Sequence, residues 1–121
     1  MSRTLGQQRA SYCLEMLKNL VCTSDEFKPL SAGLPSMILQ NGFGQTLAFL
    51  LAKGKDKQQA AFEIIALWLV NRKLINHSNK PVDILNQISQ MPQTQYLQAQ
   101  RETLAMLEWL KRYANAALFE G

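Results

Sequence analysis

The chain has 121 residues, 47% of them apolar, and its 13 Lys and Arg against 9 Asp and Glu leave a net charge of 13 − 9 = +4. That describes one domain with a real core and excludes a disordered chain; the positive balance is a mild bias toward anionic partners. The longest apolar runs, residues 47–52 and 64–70, fall far short of the ~20 residues of a membrane span, and the opening MSRTLGQQRASY lacks the apolar centre of a signal peptide, so a cytoplasmic protein with no membrane partner is expected.

Residues ~3–22 read as an amphipathic helix. Leu5, Tyr12, Cys13, Met16, Leu17 and Leu20 share one side, and Gln7, Gln8, Ser11, Glu15, Lys18 and Asn19 the other. Cys13 and Cys22 on that helix would lie ~13 Å apart, beyond disulfide reach, so both are expected as free thiols in a reducing compartment. Thr23-Ser24-Asp25-Glu26 reads as a stop and a new N-cap with acids in the first turn. A short helical turn over residues 27–32 follows.

Residues 34–53, LPSMILQNGFGQTLAFLLAK, read as the central helix. Pro35 suits a first turn. Leu39, Phe43, Leu47 and Leu50 form one stripe, and Leu34, Ile38, Phe49 and Ala52 a second, so the helix is expected to be surrounded. The apolar period runs through Asn41-Gly42-Phe43-Gly44, which predicts one helix, kinked at most, with both glycines inside it. Each interior glycine costs ~1 kcal/mol relative to alanine, which close approach of another backbone would offset.

Lys53-Gly54-Lys55-Asp56-Lys57 is a glycine stop among three lysines. Cations complement a helix C-terminus, and they also make a basic corner able to touch phosphates. A second long helix runs from Lys57 to about Asn76, with Trp68 near the middle of the core. His77-Ser78-Asn79-Lys80 is a loop, and Pro81 opens a short helix carrying Val82, Leu85 and Ile88. The last helix runs from about 93 to 118. Its apolar arc holds Ala105, Met106, Leu107, Trp109, Leu110, Tyr113, Ala114 and Ala117; the opposite face holds Arg101, Glu108, Lys111, Arg112 and Asn115. Two residues break the pattern. Glu102 falls inside the arc and needs a partner, a phenol, indole or amide. Leu104 sits beside the basic face, where it could mark a subunit contact. No alternating strand pattern competes, so the fold class is all-α, a compact bundle of about five to six helices in a single domain spanning 1–121.

Catalytic chemistry finds little footing. No cofactor is implied, and a lone His77 makes no metal site. Gly42-Phe43-Gly44 lacks the lysine and the preceding strand of a phosphate loop. Arg72 and His77 have an R-x4-H spacing that resembles the motif of a family of small all-α ribonucleases, whose arginine and histidine act on the scissile phosphate at a dimer interface. Lys73 stands where that family has Asn, Asp or His.

Two blocks together carry a closer resemblance. Leu34-Pro35, Ile38, Asn41-Gly42-Phe43-Gly44-Gln45 and Leu47-Ala48-Phe49, then Glu102 and Trp109-Leu110-Lys111-Arg112, resemble the small helical subunit of type III-B CRISPR (Cmr) effector complexes. The resemblance implies a non-catalytic antiviral-defence subunit, copies of which stack head to tail in a short filament. The other Cmr subunits, the guide RNA and the target RNA are its implied partners. A protein that serves any guide must hold backbone rather than bases. Clustering at helix ends and on the polar side of the last helix nominates Lys53, Lys55, Lys57, Arg101, Lys111 and Arg112 for RNA contact. The competing class is a cytosolic helical adaptor that binds protein alone, with incidental charge.

Overall fold

The computed structural model describes residues 2–119, and these form six helices and no strand. They are α1 (Leu5–Lys18), α2 (Ser24–Asn41), α3 (Phe43–Lys53), α4 (Asp56–Asn71), α5 (Pro81–Ser89) and α6 (Gln93–Ala116). The all-α class is as expected; four boundaries are not.

Helix α1 opens on a reciprocal cap. The Thr4 hydroxyl accepts from the Gln7 N–H at 3.1 Å, and the Gln7 side chain accepts from the Thr4 N–H at 2.8 Å. It ends at Lys18, so Cys22 lies in the following loop and not on the helix. Both cysteines are free. Cys13 is fully buried, with burial pushing its thiol up to about 12. Cys22 is half-buried.

Thr23 caps α2 as its sequence suggested, accepting from the Glu26 N–H at 3.2 Å. The helix then continues through Pro29 and Pro35 to Asn41, where two elements had been expected. Each proline deletes one ladder bond and costs about 3 kcal/mol in a helix interior. Against that, Phe27, Leu34 and Ile38 are almost wholly buried, each contributing about 1.5–3 kcal/mol. The Ser31 hydroxyl, itself buried, donates to the Lys28 carbonyl at 3.0 Å.

The expected central helix is in fact two. Gly42 has φ 94° and ψ 155°, a conformation closed to L side chains, and it is the only residue between α2 and α3. Its N–H closes α2 on the Ile38 carbonyl at 2.8 Å, and its carbonyl opens α3 by accepting from Thr46 at 3.1 Å. The turn sends the two halves of the apolar pattern different ways. Phe43, Leu47 and Leu50 are buried, as are Leu34 and Ile38, but Leu39 is 69% exposed and Phe49 38%. Gly44 meets a side chain and not a backbone: its N–H donates to the Tyr96 hydroxyl at 2.9 Å, while Phe43 packs edge-on against the Tyr96 ring.

Helix α4 is central, with Ala60, Ala61, Phe62, Ile64, Ile65, Ala66, Trp68 and Leu69 all buried. It ends at Asn71, well short of the expected limit at Asn76. Lys73 takes a left-handed φ of 61° in the turn that follows. The loop is then clamped by Gln87, whose amide pairs with both the N–H and the carbonyl of Asn76 at 2.7 and 2.9 Å. On α5, Ile84 and Ile88 carry the buried face and Val82 is 65% exposed. Leu104 on α6 packs partly buried against the core, which removes the reason to read it as a subunit contact.

Helices α1 and α6 run parallel, because Arg9 pairs with Glu102 and Cys13 with the Met106 carbonyl. Helix α4 runs against them: Tyr12 donates to the Ile64 carbonyl at 2.6 Å and Trp68 to Glu102 at 3.0 Å. The first residues of α4 therefore point toward the end of the bundle where α6 finishes.

Candidate nucleic-acid interface

The basic residues sort by end of the bundle. Lys53 closes α3, Gly54 turns with φ 65°, Lys55 precedes α4 and Lys57 lies in its first turn. Lys53 and Lys55 are exposed and Lys57 is half-buried. The Lys53 ammonium sits 5.6 Å above the Phe49 ring, a weak cation–π contact that fixes its direction without consuming its charge. Asp56 stands among these lysines. Cys22 is near enough to Asp56 and Lys57 for their charges to act on its thiol. Lys111 and Arg112 lie near the end of α6, at the same end of the bundle. Arg112 is exposed; Lys111 is held by Glu108 one turn back at 3.4 Å.

Arg101 does not join them. It is exposed nearer the middle of α6, ten residues or ~15 Å along the helix from Lys111. Its sequence neighbour Glu102 joins Arg9, Trp68 and Arg72. Both Glu102 oxygens receive the Arg9 guanidinium, from Nε at 2.8 Å and Nη2 at 2.9 Å. Oε1 also accepts from the Trp68 indole at 3.0 Å and lies 3.9 Å from Arg72 Nε. The hydrogen bonds from Arg9 hold the Glu102 carboxyl below the usual carboxylate range, against burial, which pushes it up. The indole among the expected partners is present; the two arginines were missed. The signal was available, since a carboxylate on an apolar face asks for a cation, but nothing in one helix pattern says which distant cation answers.

The R-x4-H pair is not assembled. Arg72 is turned to Glu102, while His77 lines a groove of about 380 Å³ between α4 and the loop into α5, whose walls include Glu63, Leu67 and Ile84 but not Arg72. Among the described residues no three His, Cys, Asp or Glu side chains cluster as a metal site would need, and no helix is long and apolar enough to cross a membrane.

The fold agrees with known proteins. The family model described as CRISPR-associated protein (Cas_Cmr5) matches residues 5–117. A protein of Thermus thermophilus, the CRISPR system Cmr subunit Cmr5, is 32% identical over 97 residues, covering 78% of this chain and 77% of its own length. The crystal structure of a CRISPR-associated Cmr5 family protein, also from Thermus thermophilus, superposes with a TM-score of 0.78 at 27% identity, over 97% of this chain and 99% of that one. The glycine elbow that joins α2 to α3 and the C-terminal Trp109–Arg112 block therefore sit within a fold shared along almost the whole chain, and the protein belongs to the Cmr5 family of CRISPR-associated proteins.

Proposed function

We propose that this chain is a non-catalytic structural subunit of a cytoplasmic type III-B CRISPR ribonucleoprotein, in which stacked copies help hold the guide–target RNA duplex by its backbone. The observation that carries the reading is the family match from residue 5 to residue 117. The distribution of charge supports it. Lys53, Lys55, Lys57 and Arg112 have no ion-pair partner among the described residues and face solvent wholly or in part. Such side chains contact phosphate without reading sequence.

Head-to-tail stacking needs two different surfaces. The elbow exposes Leu39 and Phe49, and the groove between α4 and α5 exposes Leu67 beside Glu63. These are two separate apolar patches, suited to copies of the chain or to other Cmr subunits. Few contacts per copy then suffice, because linked copies add their binding.

The test is charge reversal at Lys111 and Arg112. In the assembled complex it weakens association with guide–target duplex and flattens the salt dependence by about one unit of slope per lost phosphate contact. An unchanged affinity and slope shows that this face of α6 does not meet RNA.

A further inference from the structure

The basic residues considered above lie mainly where α4 begins. The other end of α4, about 24 Å away for a 16-residue helix, holds a second concentration of charge, Arg72 and Lys73, which its sequence offers either as complement to the helix dipole or as an anion contact. Arg9 and Arg72 meet there on Glu102, and Lys73 follows Arg72 directly in the chain.

That single carboxylate is already committed. Arg9 spans both of its oxygens and Trp68 takes a further position on Oε1. Arg72 arrives last. Its Nε stops 3.9 Å from Oε1, beyond hydrogen-bonding distance, and is a buried donor with no acceptor. The remainder of the side chain reaches the surface, at 36% exposure. A guanidinium cannot escape by losing its proton. Among the described residues the cluster therefore sets two guanidiniums against one carboxylate, which leaves one positive charge in excess, on a planar fork half withdrawn from water. An arginine so placed attracts an oxyanion more strongly than a freely solvated lysine does, because water screens it less. Lys73, exposed in the left-handed turn directly after Arg72, adds a second cation at the same helix end.

We infer that Arg72, seconded by Lys73, is a phosphate-binding site for the RNA backbone, at the opposite pole of the molecule from the Lys53–Lys57 corner. The inference rests on the RNA-holding function proposed above and adds a contact that function does not name. Together the two poles let one copy grip the backbone at two places along the length of α4. Arg9 is not part of the site: its charge is spent on Glu102.

The experiment follows the arginine Nε–H resonances of the full-length protein by NMR during titration with an RNA duplex of about one helical turn at low salt, and separately with inorganic phosphate. The Arg72 resonance shifts with both; that of Arg9 does not. Duplex affinity measured against salt for Arg72→Gln loses about one unit of slope relative to the parent, while Arg72→Lys keeps most of it. The thermal midpoint of Arg72→Gln stays near that of the parent, because the Arg72 side chain makes no hydrogen bond among the described residues. An Arg72 resonance that stays still with both probes overturns the site. A shift with inorganic phosphate alone overturns the RNA assignment. Loss of affinity that tracks a fall in thermal midpoint shows a structural residue and overturns it too. If Arg72→Gln binds like the parent while the Lys111 and Arg112 reversal weakens binding, this inference fails and the proposed function stands; if neither changes anything, the proposed function itself fails.

Discussion

Glu102 shows how one side chain ties three helices. It lies on α6, its cation on α1 and its indole on α4. Replacing it by Gln leaves a neutral amide facing a part-buried guanidinium. Breaking a buried pair by removing one partner costs about 3 kcal/mol, which in a domain of this size lowers the thermal midpoint by roughly 10 °C. The penalty depends on pH in a definite direction. The folded carboxyl is held below its ordinary value of 4.5. Its contribution is therefore complete above that value and disappears as pH falls through the lower, folded one. Parent and Glu102→Gln stability curves should converge in acid and stand furthest apart near neutrality, as urea unfolding across pH will register. Glu102 was legible as a misfit because it interrupts an apolar arc. Arg9 was not: 93 residues separate the pair, and periodicity within one helix carries no information about another.

At the level of elements, two kinds of punctuation traded places. Pro29 and Pro35 look like boundaries and are not, because burial of Phe27, Leu34 and Ile38 outweighs two missing backbone bonds. Gly42 looks like an interior residue and is the boundary. The apolar period survives the break because Ile38 on one side and Phe43 on the other both reach the core. A repeat of about 3.6 residues therefore reads straight across a change of axis. The exposed Leu39 and Phe49 are what that misreading leaves over. The substitution Gly42→Ala forces an L side chain to φ 94°. Open space surrounds the added Cβ, so the cost is conformational, about 1–3 kcal/mol. A lower midpoint with retained helix content, by circular dichroism, is the expected result. Gly44→Ala should be milder: its Cβ would stand 3.5 Å from the Tyr96 hydroxyl, an ordinary contact. The α2 cap at Thr23, the α5 start at Pro81 and the α6 start at Gln93 were legible because each is set by residues adjacent in sequence.

For the molecule as a whole, the order of helices decides which charges can act together. Because α4 runs against α6, residues far apart in sequence, Lys55 and Arg112, share an end, while Arg101, on the same helix as Arg112, does not join them. The grouping of Lys53, Lys55 and Lys57 was legible as a local run; the division of the cations into two poles depends on chain direction, which no local pattern encodes. An adaptor and a ribonucleoprotein subunit differ at this scale. Tagged protein recovered from its native host should bring other Cmr subunits and guide RNA, with a segment of that RNA protected from added nuclease; recovery of protein partners alone favours the adaptor. The Gly42 joint bears on how such a molecule tolerates change in chain length. With a single residue between α2 and α3 there is no slack. One inserted residue would turn α3 by about 100° and carry Phe43, Leu47 and Leu50 away from the interior. The turn and loop after α4, residues 72–80, can absorb the same insertion. Length is thus free to drift beside the groove, while at the elbow it is frozen.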